Sequence, residues 1–380
     1  ELLHRSIQLG NIDFVKAVVL VNGTIDSKML ERALVVIAER VRQRGASDRI
    51  VDLLSWLAER VGNEFIDDFS RKVRRVLPAL DEMTAESISM KSLQQTLFSR
   101  SVQYREFLLE EHVDVVRSLL VEDARSAHVV RDQIMQSKRS KSRKSETLRS
   151  LLPTSPVLFE EHLAEMYIER ISEEGPLNVF GSDDLACVQT RLGTVSREKL
   201  LGASCEQWAR YISTPMEAEY VSLLSQITGS MSRLSEHGYR TVARALHSYL
   251  SKRIECDDPT VVPPRQVPFS FLDLVKTLFR PGRVLADVIK KDPNSRMLLL
   301  NWLKAYWKSL SKWMESMAVN LSGQEAIFVN LAGAYKTFIE PPYETFCAIL
   351  GTGSKEQKLL RKMRKRILKQ MSVCLFRALQ

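Results

Sequence analysis

Turn-forming residues are scarce in this chain, with 15 glycines and 13 prolines among 380 residues. That scarcity argues against an all-β fold, which needs many tight turns. Long apolar runs are missing too: no stretch reaches the 18 or so residues that suggest a membrane-spanning helix. No sustained period-two alternation marks strands. Aromatics make up only 7% of the residues against 44% hydrophobic overall, which fits a leucine-rich helical protein with a substantial core. The five cysteines, Cys187, Cys205, Cys256, Cys347 and Cys374, stand too far apart for a zinc ribbon or a redox pair. Buried free thiols in a reducing compartment are expected. The sequence opens at Glu1 with no visible signal peptide, so a processed or trimmed chain is expected, with any targeting segment already gone.

Catalytic signatures are thin as well. "GTGSK" (351–355) has the look of a phosphate loop, but the four-residue spacer before Gly-Lys is absent. Ser354 and Gln357 fit a helix-capping box better. His162 and Glu165 lie one turn apart, yet no second histidine is near and no HExxH occurs, so a surface pair is the simpler reading. Neither a nucleophile elbow nor a dinucleotide fingerprint is found. The expectation is a protein that is not an enzyme, with no cofactor, no metal and no small-molecule substrate.

What the chain does contain is a recurrent helix start. In "LSGQEAIFVNLAGAYK" (321–336), Ser322 and Glu325 have capping-box spacing, and Ile327, Phe328, Leu331 and Tyr335 follow at helical intervals. Gly333 costs about 1 kcal/mol of helix propensity against alanine, which predicts close packing there. Related starts occur at "LSEHGYRTVARALHSYL" (234–250), "FGSDDLACVQTRLG" (180–193) and "ASDRIVDLLSWLAERVG" (46–62). "MTAESISMKSLQQTLF" (83–98) is a further one, with Thr84 as its expected cap. A second motif alternates with these: "SKMLERALVVIAERV" (27–41), "EFIDDFSRKVRRVLPAL" (64–80), "EFLLEEHVDVVRSLL" (106–120) and "LFEEHLAEMYIERI" (158–171). Near the N-terminus the pairs recur every 36 to 42 residues or so, the period of stacked helical hairpins. The predicted fold is all-α: antiparallel helical-hairpin repeats stacked as an α-solenoid.

The net charge of +9 is concentrated. Residues 137–149, "SKRSKSRKSETLR", carry +5, and 355–369, "KEQKLLRKMRKRILK", carry +7, which leaves −3 for everything else. The first run, extended to Pro156, reads as an exposed basic loop. The predicted organisation is therefore helical repeats over 1–136, this loop over 137–156, and further repeats over 157–255. A proline-rich connector over 256–268 cannot continue a helix, and C-terminal repeats over 269–380 end in a basic helix. Trp302, Trp307 and Trp313 are expected to fill that last block's core.

Lysine and arginine release counterions when they meet phosphates. The candidate RNA-contacting residues are Lys138, Arg139, Lys141, Arg143 and Lys144 in the loop, and Arg361, Lys362, Arg364, Lys365, Arg366 and Lys369 in the helix. In that helix Leu359, Met363, Ile367, Met371, Cys374 and Ala378 form a predicted apolar stripe, with Arg361, Lys362, Lys365 and Lys369 mostly off it and facing outward.

The alternating motifs resemble the FAST-kinase-like or heptatricopeptide helical repeats. Trp56 and Phe328 keep the aromatic usual in the first helix; Cys187, Leu93 and Ala245 replace it. The resemblance implies an α-solenoid of the mitochondrial matrix that handles organellar RNA, here most simply rRNA of a mitochondrial ribosome beside neighbouring proteins. The endonuclease-like RAP domain of many such proteins is not found. The rival expectation is a protein-binding scaffold of the HEAT or armadillo kind, separable by whether a basic band crosses the repeats.

Overall fold

The computed structural model describes residues 5–7, 11–21, 27–81, 87–229, 231–256, 270–280, 283–320, 324–350 and 354–379. All regular structure among them is helical. The expected cap at Thr84, the Ser322 half of its capping box and nearly all of the proline-rich connector lie outside the described residues. Contacts divide the chain into two units, Glu1–Leu163 and Ala164–Gln380, the division falling within one helix, Pro156–Glu174.

The first unit contains α1 (Ile12–Val21), α2 (Ser27–Arg44), α3 (Asp48–Arg60), α4 (Ile66–Val76), α5 (Ile88–Arg100), α6 (Val102–Glu111), α7 (Val113–Glu122), α8 (Ser126–Gln136) and α9 (Lys141–Leu151). Alternate helices pack on one another: α1 on α3 and α3 on α5, α2 on α4 and α4 on α6, and, after α6 packs on its neighbour α7, α7 on α9. This is the two-row stacking that the repeated motifs predict. The stripe of α3 shows why it holds. Ile50, Val51, Leu53, Leu54 and Leu57 are buried, each large side chain contributing about 1.5–3 kcal/mol when taken from water. Polar locks join the rows. Arg100 at the end of α5 donates to the Val61 carbonyl (2.7 Å) and Asn63 Oδ1 (2.8 Å), satisfying the chain just past α3. Ser101 alone separates α5 from α6; its hydroxyl accepts from Tyr104 N (3.1 Å) and donates to Asp67 Oδ1 (2.7 Å).

Some local expectations change. Ser87 is the residue that caps α5, accepting from Met90 N at 3.3 Å. Ser47 has the N-cap position of α3 but makes no side-chain cap bond. The largest change is the basic segment. Residues 141–151 form α9 rather than a loop, capped by Ser140 and packed through Ser145, Thr147, Leu148 and Leu151. Pro156 opens the next helix instead of closing a loop.

The second unit follows α10 (Pro156–Glu174) with α11 (Pro176–Val179), α12 (Ser182–Thr190), α13 (Thr194–Glu206), α14 (Glu217–Ile227), α15 (Glu236–Cys256), α16 (Phe271–Leu278), α17 (Val284–Lys291), α18 (Pro293–Asn320), α19 (Gln324–Ala334), α20 (Glu340–Leu350) and α21 (Lys355–Leu379). Gly175 stops α10 at φ 86°, and Pro176 starts α11, where its missing N–H is no loss. The alternate-helix pattern recurs: α12 on α14, α13 on α15, α14 on α16, α15 on α17, α19 on α21. Between α14 and α15, Glu217 is buried and accepts from Tyr249 Oη (2.7 Å) and Arg253 Nε (3.0 Å).

Trp302 and Trp307 on α18 are core residues, and Trp313 is half-buried. Trp302 stacks on Tyr306 (centroids 5.1 Å apart) and meets Phe271 at 4.5 Å. Trp307 Nε1 donates to the Phe338 carbonyl at 3.1 Å. That carbonyl belongs to a π-helical turn, Tyr335–Ile339, which links α19 and α20 without a break. The cause is local. Pro342 has no N–H for the i−4 carbonyl, which is that of Phe338, and the indole supplies the donor. α19 itself departs from expectation. Ile327 and Leu331 are buried, but Phe328 is 62% exposed, and a Cβ built on Gly333 would meet nothing within 4 Å. The glycine marks open space rather than tight packing.

Candidate nucleic-acid interface

α21 lies against α18, α19 and α20. Leu360, Ile367 and Cys374, one heptad apart, form its buried line. This shifts the predicted stripe: Leu359 is 41% exposed, Met363 and Met371 are half-buried at the edge, and the Ala378 side chain lies outside the described residues. Two adjacent leucines leave the helix phase open by 100°, and packing on α18 selects Leu360. Burial in this line pushes the Cys374 thiol above its ordinary pKa.

Phase decides which cations are free. Arg364 turns inward. Its guanidinium donates to Glu340 Oε2 (2.7 Å) and Tyr335 Oη (3.3 Å) and lies over the Tyr343 ring at 4.5 Å. The hydrogen bond to Glu340 raises its pKa further, so it is a fixed cation committed to holding α21 on the π turn. The one carboxylate of α21, Glu356, is also turned away, pairing with Arg296 of α18 at 3.3 Å. What faces outward is Lys355, Lys358, Arg361, Lys362, Lys365, Arg366 and Lys369. None of these seven has a carboxylate within ion-pair distance among the described residues.

Some surface cations elsewhere are paired, while others, such as Lys304, Lys308 and Lys312 on α18, are exposed with no ion pair among the described residues. Lys72 lies between Asp68 (2.9 Å) and Glu31 (3.1 Å), and its hydrogen bond draws the Asp68 carboxyl below the usual range. Arg117 pairs with Asp114, Arg240 with Glu236, and Lys252 with Glu255. The outer face of α21 lacks this compensation. Arg361, Lys362, Lys365 and Lys369 are exposed as the sequence predicts, and the candidate Arg366 is exposed beside them. Sequence reasoning did not single out Lys355 and Lys358, although both stand one or two turns before Lys362 on the same side.

The other basic segment is used differently. Arg139 is only one-tenth exposed: it donates to the carbonyls of Leu109 and Glu106 (both 3.1 Å) and pairs with Glu110 at 3.4 Å. Lys144 Nζ donates to the Met135 carbonyl at 2.7 Å, and Lys141 is also engaged. Lys138 and Arg143 remain exposed. A cavity of about 380 Å³ opens beside them, and Glu110, Glu111, Asp114 and Glu146 line it together with Arg139 and Arg143. Four carboxylates against two guanidiniums do not suit phosphate. The structure therefore separates two segments that look alike in composition: in 137–149 Arg139 and Lys144 tie the segment to α6 and α8, whereas in 355–369 every basic side chain but Arg364 faces solvent.

Other chemistry has little to stand on. Ser295, His247 and Asp292 meet, with His247 Nδ1 3.3 Å from Ser295 Oγ. The hydroxyl, however, is fully buried and hydrogen-bonds Asp292 as part of the α18 N-terminal cap. The proton a nucleophile would give up is already committed to the carboxylate. Among the described residues no group of three or more His, Cys, Asp or Glu is disposed to hold a metal, and no helix is long and apolar enough to cross a membrane. Comparison with family models, with curated proteins and with solved structures finds no match to this chain.

Proposed function

We propose that this chain is a non-catalytic helical-repeat protein that binds RNA through its phosphates, with the outer face of α21 as the contact. One observation carries the reading: seven cations on one helix, none with a carboxylate partner among the described residues. Uncompensated positive charge along a rigid rod repels itself, and a polyanion relieves that repulsion while releasing counterions to solution. Phosphate contacts of this kind position an RNA without reading its bases. The same proposal carries the mitochondrial-ribosome setting, which the repeat resemblance supports. Outside 355–369 the chain carries only +2 (+9 less +7), which fits a protein that touches RNA locally rather than along every repeat.

A specific observation also favours a neighbouring protein in the same assembly. The described side chains of α19 carry no charge, and Phe328 and Val329 are each 62% exposed there. This is the scaffold reading in a restricted form, alongside RNA binding rather than instead of it.

Ultraviolet cross-linking of the full chain to RNA, followed by identification of the modified peptides, tests the assignment. Cross-links should concentrate within 355–369 and be sparse within 137–149. Cross-links confined to 137–149, or none at all, would overturn it and leave the scaffold reading in front.

A further inference from the structure

We infer that the RNA held by α21 is double-stranded, with the helix lying between two rows of phosphates; this rests on the RNA reading above. The arrangement of the cations around the helix axis is the ground. At 100° per residue, Arg361, Lys365 and Lys358 fall along one flank of the exposed face. Lys362, Lys355 and Arg366 fall along the other, with Lys369 between them. Arg361 and Arg366 stand about 140° apart around the axis. On a cylinder whose diameter with side chains is about 10–12 Å, that separates the outermost cations of the two flanks by roughly 10 Å. Along the axis, residues 355 to 369 span about 21 Å.

A single strand offers one row of phosphates and a set of free bases. A protein that holds it pairs a basic track with aromatic side chains on which bases stack. No aromatic residue occurs between 355 and 369. The nearest ring beneath the cations, Tyr343, is already covered by Arg364. The exposed Phe376 lies seven residues beyond Lys369, about 10 Å further along the axis. A single strand on this face would have one flank of cations idle and its bases unsupported. A duplex borders each groove with two phosphate rows and keeps its bases stacked internally, so it needs both flanks and no platform. Within 355–369 no apolar residue falls inside the arc of the cations, the half-exposed Leu359 standing just outside it, whereas a lipid surface would call for hydrophobic anchors there.

The test compares binding of the full chain to an RNA duplex and to a single strand with the same number of phosphates, by fluorescence anisotropy at fixed salt. The duplex should bind at least about tenfold tighter. Two paired variants then examine the flanks: Arg361→Gln with Lys365→Gln, and Lys362→Gln with Arg366→Gln. Each pair should weaken duplex binding by about tenfold, both to a similar degree, as expected when two phosphates go without their cations. Unchanged circular dichroism and melting temperature would show that the fold is intact in both. Equal or tighter single-strand binding, or a weakening confined to one flank, overturns the duplex inference while RNA binding itself stands. Failure to bind either RNA overturns both readings, and binding only to anionic vesicles would point to lipid phosphate as the ligand.

Discussion

Gly238 shows how a single residue in this fold can reverse an ordinary rule. It lies in the first turn of α15, where alanine would usually be the better helix former by about 1 kcal/mol. A Cβ there would stand 2.6 Å from the Glu198 carboxylate of α13. That carboxylate cannot move freely, because it accepts from both the backbone N and the hydroxyl of Ser235, each at 2.5 Å. Ser235 in turn accepts from Gly238 N at 3.1 Å. The glycine thus makes room for a cap supplied from another helix, and Gly238→Ala should destabilise by roughly 1–3 kcal/mol in urea unfolding. A neutral or stabilising result would show that Glu198 does not hold that position. Cysteine chemistry separates at the same scale. Burial pushes the Cys205 thiol up to about 12, whereas Cys256 is exposed. At pH 8 the Cys205 thiolate would be roughly one part in ten thousand. Alkylation at pH 8 should therefore label Cys256 within minutes and leave Cys205 unlabelled until the protein unfolds, as peptide mass mapping would show.

At the scale of helices, α9 is the clearest departure from composition. Its amides, those of Leu148 and Leu151 above all, should exchange slowly in the isolated protein, because both side chains are fully buried. Exchange as fast as in an open loop would restore the loop reading. The reason α9 is hidden in the sequence is physical: four cations and three serines mask only two leucines, and its order comes from buried small polar residues and from Arg139 reaching back to α6. The π turn is hidden for a related reason, since the donor to Phe338 comes from Trp307, thirty-one residues earlier. Trp307→Phe keeps most of the apolar volume and removes that donor, and should cost about 1–3 kcal/mol in thermal or urea unfolding. A change near zero would mean that the Phe338 carbonyl finds another partner. By contrast, the helix starts were legible from the apolar period, a local signal, whereas capping was less so: Ser235 accepts from Gly238 N but Ser47 makes no side-chain cap bond. Ser27, Ile66 and Val102 begin successive helices of one row 39 and 36 residues apart, close to the repeat seen in the motifs. For the candidate site, charge density was legible but helix phase was not, so Arg364 and Leu359 each changed sides once α21 met its neighbours.

For the molecule as a whole, the central claim is that stacked hairpins serve to present the basic outer face of α21. The protein should then tolerate loss of that face as a fold while losing its ligand, since exposed charges contribute little to stability. The most direct measurement is RNA affinity as a function of salt, for the wild type and for a variant carrying Arg361→Gln, Lys362→Gln, Lys365→Gln and Lys369→Gln. The account predicts an unchanged melting temperature, weaker binding to every RNA sequence alike, and a slope of log affinity against log salt shallower by about 3, from four phosphate partners of roughly 0.7 to 0.9 each. A variant that melts as the wild type does and keeps both its affinity and its salt slope would contradict the account.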